Sequence, residues 1–174
     1  MNSIRRLTQV SDAQVHELAA LLIDCVEGGA SVSFMLPLTS ERAQAFWRRV
    51  AAGVHNGERA LLVAEDVQGV IVGTVQLVLD LPENQPHRAD VAKMLVHRSA
   101  RRQGLAERLM SAAEETARAC GRAMLVLDTV TGGDAERLYT RLGWQRVGSI
   151  PDYALWPQGG LCATTYFYRR VGDR

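Results

Sequence analysis

A chain of 174 residues, 47% apolar and 22% charged, has the length and balance of one domain, 1–174, with a buried core. Its net charge of +1 offers no electrostatic footing for nucleic acid or a membrane surface. No apolar run is long enough for a signal peptide or a membrane span, and three scattered cysteines, Cys25, Cys120 and Cys162, read as buried thiols of a cytoplasmic protein rather than a disulfide or metal site.

Ile4–Val10 reads as a first strand. Ser11 and Asp12 cap a helix with Val15, Leu18, Leu22 and Val26 on one face, stopped by Gly28-Gly29. Gly29–Leu38 is a loop with an apolar centre, Phe34-Met35-Leu36, suited to closing over a small substrate. Thr39 or Ser40 caps a second helix carrying Phe46, Trp47 and Val50. Ala60–Glu65 and Val70–Leu79 form a hairpin through Asp66-Val67-Gln68-Gly69, and Ala89–Val96 is a further strand. Gly104–Cys120 is the clearest helix, with Leu105, Leu109, Ala112, Ala113, Thr116 and Cys120 on its inner face. Met124–Asp128 is too short for a helix and reads as a strand. Asp134 caps a short helix to Leu142, and Trp144–Ile150 and Ala163–Arg169 complete the strands. The order predicts an α/β fold, with a mixed, mainly antiparallel sheet of about seven strands flanked by about four helices.

The segment Val96-His97-Arg98-Ser99-Ala100-Arg101-Arg102-Gln103-Gly104-Leu105-Ala106 lies between a strand and that clearest helix. The first N–H groups of a helix lack intrahelical partners, and the helix dipole adds positive charge. Gly104 and Ala106 leave room for close approach, and Arg101 and Arg102 add full charges. The segment is either an anion cradle suited to a pyrophosphate or a Gly-containing turn with two solvated arginines. Neither GxxxxGK[ST] nor GxGxxG occurs, which removes the main support for a nucleotide hydrolase or a dinucleotide oxidoreductase.

Arg101-x-x-Gly104-x-Ala106 after Val96 resembles the acyl-CoA-binding signature of the GNAT N-acetyltransferase superfamily. Ala135-Glu136-Arg137-Leu138-Tyr139-Thr140-Arg141-Leu142-Gly143-Trp144 resembles that family's second region, at the expected place downstream. Gly28–Met35 and Arg88–Val96 are similar to its tabtoxin-resistance branch, which acetylates a small, amino-acid-like β-lactam toxin. Two positions depart from the wider pattern: Arg98 where Pro is common, and Gly132 where many relatives carry Asn. The resemblance implies acetyl-CoA as donor and a GNAT-like fold whose fourth strand parts from its neighbour. The cofactor would be held by backbone groups of Met94, Leu95 and Val96, with the Leu95 N–H polarising the thioester carbonyl, and by Arg101, Arg102, Gln103, Gly104, Leu105 and Ala106.

The same resemblance assigns Tyr139 as proton donor to the coenzyme A thiolate, where residue chemistry alone also allows a packed tyrosine. It brings Asp90 and Asp128 to neighbouring strand ends, as base or counter-ion for an ammonium. The alternatives are an exposed strand face for Asp90 and a turn with Thr129 for Asp128. No His, Cys or carboxylate spacing suggests a metal. The expected function is acetyl transfer to the primary amine of a small, amino-acid-like molecule. Acetylation of a protein N-terminus or lysine, or a non-catalytic acetyl-CoA-binding regulatory domain, are the competing readings.

Overall fold

The computed structural model describes residues 2–172; Met1, Asp173 and Arg174, the ends of the expected 1–174 domain, lie outside the described residues. The chain begins with β1 (Ser3–Leu7), α1 (Asp12–Glu27) and α2 (Ser40–His55), followed by β2 (Arg59–Glu65), β3 (Ile71–Val78) and β4 (Arg88–Val96). A 3-10 turn at Arg98–Ala100 leads into α3 (Leu105–Ala119). Then come β5 (Met124–Val130), α4 (Asp134–Arg141), β6 (Gln145–Leu155) and β7 (Leu161–Arg170). The fold is the expected mixed α/β arrangement.

The first two helices start where side chains satisfy their free N–H groups. The Ser11 hydroxyl accepts from the Gln14 N–H at 3.2 Å, and the Gln14 side chain accepts from the Ser11 N–H at 2.9 Å, a complete capping box. Thr39 accepts from the Arg42 N–H at 3.3 Å. Val15, Leu18, Leu22 and Val26 are all buried, as their spacing predicted. In α3 the buried stripe is rotated from the expected one. Met110, Glu114 and Ala117 lie inside beside Leu105, Leu109 and Ala113, whereas Ala112, Thr116 and Cys120 are half-buried. The carboxylate of Glu114 pairs with Arg169 at 3.0 Å, so a charged residue stands in the core-facing stripe and breaks its apolar pattern.

The strands form one sheet in the order β1-β2-β3-β4-β5-β7-β6. All neighbours are antiparallel except β4 and β5, which pair in parallel only from Arg88 to Asp90 against Met124 to Val126. Beyond Asp90 the two strands part. Opposite β3 the register passes from Gln76↔Ala92 to Thr74↔Leu95, so Lys93 and Met94 share the place facing Val75. This is a β-bulge, and Lys93 takes a φ of 51° within it.

One core lies between the sheet and α3 with α4, and the other between β1–β4 and α1 with α2. Val91, Met94 and Val96 face the first, while Leu95 is buried in the second. Trp47 and Trp144 are packed inside. β6 runs five residues past its expected end because the strand absorbs Pro151 and Asp152 through a register irregularity between Ile150 and Ala154, where the sequence alone suggests a stop.

Candidate active site

The gap between the parted strands opens into a cleft of about 1210 Å³. Its walls come from β4, β5, α4, the start of α3, the 28–35 segment and the end of the β6–β7 hairpin. At the α3 end, the chain leaves the 3-10 turn and swings through Arg102 at φ 60° and Gly104 at φ 71°. Gly104 occupies the N-cap with no side-chain hydrogen bond. The N–H groups of Gly104, Leu105, Ala106 and Glu107 donate to no protein acceptor among the described residues. A Cβ on Gly104 would meet nothing within 4 Å; the glycine supplies the left-handed turn and leaves the approach to these donors open.

Arg101, Arg102 and Ala106 line the cleft. The side chains of Gln103 and Leu105 turn elsewhere. The Gln103 amide reaches the Ser99 carbonyl at 3.4 Å, and Leu105 is a core residue under the sheet. Their contribution to an anion site is therefore limited to the backbone. His97 is half-buried rather than outward-facing, 3.4 Å from Asp24, which also receives the Arg98 guanidinium at 2.8 Å.

Met94, Leu95 and Val96 line the parted edge of β4, but their backbone groups divide differently from the expectation. The His97 N–H donates to the Val72 carbonyl at 2.9 Å. In the alternation of an antiparallel ladder, this makes Thr74↔Leu95 the pair that exchanges both bonds. The Leu95 N–H is thus spent on β3 and is not free to polarise a ligand carbonyl. The N–H groups of Met94 and Val96 turn toward the open side. The Val96 carbonyl already accepts from Arg101 Nε at 3.2 Å and from the Cys25 thiol at 3.5 Å.

Tyr139 stands on α4 with 5% exposure. Its ring packs 5.8 Å from Trp144 and 6.0 Å from Phe167, and the residue borders the cleft. Burial, and then the charge of Asp128, push its phenol above the ordinary tyrosine value. Asp128 is exposed in the cleft wall on β5. The Thr164 hydroxyl lies 2.8 Å from its Oδ2 and 2.9 Å from the Thr129 carbonyl, so one hydroxyl proton serves both.

Asp90 does not join this group. It sits where β4 and β5 are still paired, forms an ion pair with Arg88 on its own strand, and is absent from the cleft lining. Residues two apart on a strand share a face, which brings the guanidinium to the carboxylate.

Two further residues, Lys93 and Tyr153, line the cleft, and Tyr166 stands against the second. Lys93 projects from the bulge and donates to Ser33 Oγ at 3.1 Å. The Tyr153 and Tyr166 hydroxyls lie 2.8 Å apart; that bond, then burial and the charge of Asp128, push Tyr166 up to about 12. A lone lysine inside an apolar strand was the available signal for Lys93. The tyrosine pair had none, because it depends on β6 continuing past Ile150. The 29–38 segment is a bonded wall: Ser31 Oγ donates to the Leu155 carbonyl at 3.0 Å and the Leu36 N–H to Pro157 at 2.9 Å.

Residues 19–144 match the model of the acetyltransferase (GNAT) family. An uncharacterized N-acetyltransferase from the hisH–hisA intergenic region of Azospirillum brasilense is 32% identical over 162 residues, spanning 91% of this chain and 94% of that protein. Among solved structures, YncA of Salmonella typhimurium with its cofactor acetyl-CoA superposes with a TM-score of 0.80 at 19% identity, over 100% of this chain and 96% of that one. The phosphinothricin acetyltransferase of Sinorhizobium meliloti in complex with acetyl-CoA gives 0.81 at 16%, over 98% and 89%. At these identities the structural likeness speaks for the fold.

Proposed function

The chain belongs to the GNAT acetyltransferase family, and from that premise we propose that it moves the acetyl group of acetyl-CoA onto the primary amine of a small, amino-acid-like molecule. The observation that carries this reading is the meeting, in one cleft, of an uncapped helix start, an open strand edge, a buried phenol and a carboxylate. The free N–H groups of Gly104 to Glu107, with Arg101 and Arg102, suit a pyrophosphate. The open edge at Met94 and Val96 suits an extended amide-bearing arm.

Transfer forms a C–N bond and breaks a C–S bond, so the amine must arrive neutral and the departing thiolate needs a proton. Tyr139 is the donor in this reading: its raised phenol keeps the proton until a strong base appears. Asp128 holds the incoming ammonium and takes its proton, directly or through water. Asp90 has no direct part in the transfer.

A small acceptor is favoured over a peptide because the 29–38 segment is bonded to the β6–β7 end and closes that side of the cleft. The name of one structural neighbour, a phosphinothricin acetyltransferase, is in keeping with that choice. So is the resemblance of Gly28–Met35 and Arg88–Val96 to the tabtoxin-resistance branch. The proposal is of a single catalytic domain acting in the cytoplasm. A spectrophotometric thiol-release assay with acetyl-CoA against panels of amino acids, amines and peptides tests it. Release with the small amines supports the reading, release with peptides alone replaces the acceptor class, and acetyl-CoA binding without any release makes the chain a binding module.

A further inference from the structure

Lys93 is the only lysine in the chain, and β4 spends a bulge on it. Its φ of 51° is unfavourable for a residue with a Cβ and persists only where the surroundings impose it. The bulge turns the side chain toward the α2 side of the cleft. There Nζ donates to Ser33 Oγ at 3.1 Å and lies 5.6 Å from the centre of the Phe46 ring. An ammonium carries three donors, and one hydroxyl and a ring face leave it short of partners. No carboxylate among the described residues comes within 4 Å of it. A half-buried cation without a counter-ion is costly. Burial pushes its pKa down, the charge of Asp128 offsets part of that, and Arg59 adds to the lowering.

The other cations of the cleft stand elsewhere. Arg101 and Arg102 precede α3, and Arg137 and Arg141 belong to α4. Toward the 29–35 wall the charges are therefore Lys93 from β4, Asp128 from β5 and Asp152 from the β6–β7 hairpin, and no ion pair joins the lysine to either carboxylate. We infer that Lys93 binds a carboxylate carried by the acceptor next to its amine, so that the substrates are amino acids and their close relatives rather than simple amines. In this arrangement the ammonium end of the zwitterion faces Asp128 and the carboxylate supplies the counter-ion that Lys93 lacks. The inference rests on the small-amine acetyltransferase reading given above.

The competing role is structural: Lys93 would only staple the 29–38 segment through Ser33 and Phe46. The experiment compares kcat/KM for a panel of free amino acids with that for their C-terminal amides, using the full chain, acetyl-CoA and thiol release. Wild type, Lys93→Met and Lys93→Arg are assayed, with a thermal melt of each. Wild type is expected to prefer the acids by roughly tenfold or more, the weight of one charge-assisted hydrogen bond. Lys93→Met should bring that ratio down at least about tenfold, mainly through KM, and Lys93→Arg should retain most of it. A ratio near one in wild type, or a ratio unchanged in a folded Lys93→Met, overturns the inference while leaving the acetyltransferase reading intact. Release from neither panel overturns both. Should Lys93→Met fail to fold, the wild-type ratio decides alone.

Discussion

The four helices begin in two different ways. α1 and α2 start on Ser11 and Thr39, whose side chains close the first turn. α3 and α4 start on Gly104 and Gly133, with no side-chain cap at all. The first pair packs against the closed half of the sheet, and the second pair borders the cleft. A missing cap leaves polar N–H groups without protein partners, which a helix tolerates only where water or a ligand takes them. At α4 the N–H groups of Asp134, Ala135 and Glu136 likewise meet no protein acceptor among the described residues. But Asp134 and Glu136 set two carboxylates in that first turn and no arginine precedes it, so an outside anion is received more readily at α3. The contrast separates the helices that hold the fold from the one built to receive an anion.

The strongest way to break that contrast is to place an anion at α3. Gly104→Glu should abolish measurable acetyl-CoA binding by calorimetry, because a carboxylate would compete for the N–H groups and repel phosphate. The substitution adds left-handed strain of roughly 1–2 kcal/mol but no clash, so the protein should remain folded by circular dichroism. Retained affinity in the folded variant would leave α3 an ordinary helix.

Next in size is Tyr139→Phe on α4. Turnover should fall about 10²–10⁴-fold where chemistry limits the rate, with acetyl-CoA affinity little changed. Burial and Asp128 hold the phenol proton above its ordinary value. In wild type, then, no loss of activity from this group should appear as pH rises through about 10. An alkaline fall in kcat near pH 8 that disappears in Tyr139→Phe would contradict the assignment.

Asp128→Asn should lower kcat/KM for a cationic amine by roughly tenfold or more, and kcat should recover in part as pH rises and the amine arrives neutral. Asp90→Asn should leave the pH–rate profile as in wild type and act through its half-buried ion pair with Arg88, an effect on stability of about 1 kcal/mol. A Ser11→Ala variant gives the smallest effect on function. Loss of the capping box should cost about 1 kcal/mol of stability, read in denaturant melts, with acetyl-CoA affinity unchanged. A matching loss of affinity would mean that the capped and uncapped ends are coupled.

Much of this was legible along the chain because the punctuation is local. Ser11, Thr39, Gly28 and Gly143 mark helix ends through their own chemistry, and the Asp66–Gly69 turn announces its hairpin. The α3 start was readable for the same reason: Gly104 and its two arginines are neighbours in sequence. What escaped depends on distant partners or on a single step of register. No residue of β4 records where a parallel neighbour leaves it. The commitment of the Leu95 N–H to β3 follows from the ladder across the bulge. Asp90 and Asp128 look alike as lone acids in apolar strands, and only the extent of β4–β5 pairing separates them.

The bulge also makes one residue of a central strand redundant to the ladder. Were Lys93 removed, Met94 would stand opposite Val75, between the existing pairs Gln76↔Ala92 and Thr74↔Leu95. The alternation would close without a fault, with Val91, Met94 and Val96 still facing α3 and Leu95 still facing α1. Both cores would keep their residues, and the chain would lose its only lysine with the contacts to Ser33 and Phe46. Lys93 is thus an insertion that the ladder accommodates without needing, in a place where strands seldom accept one.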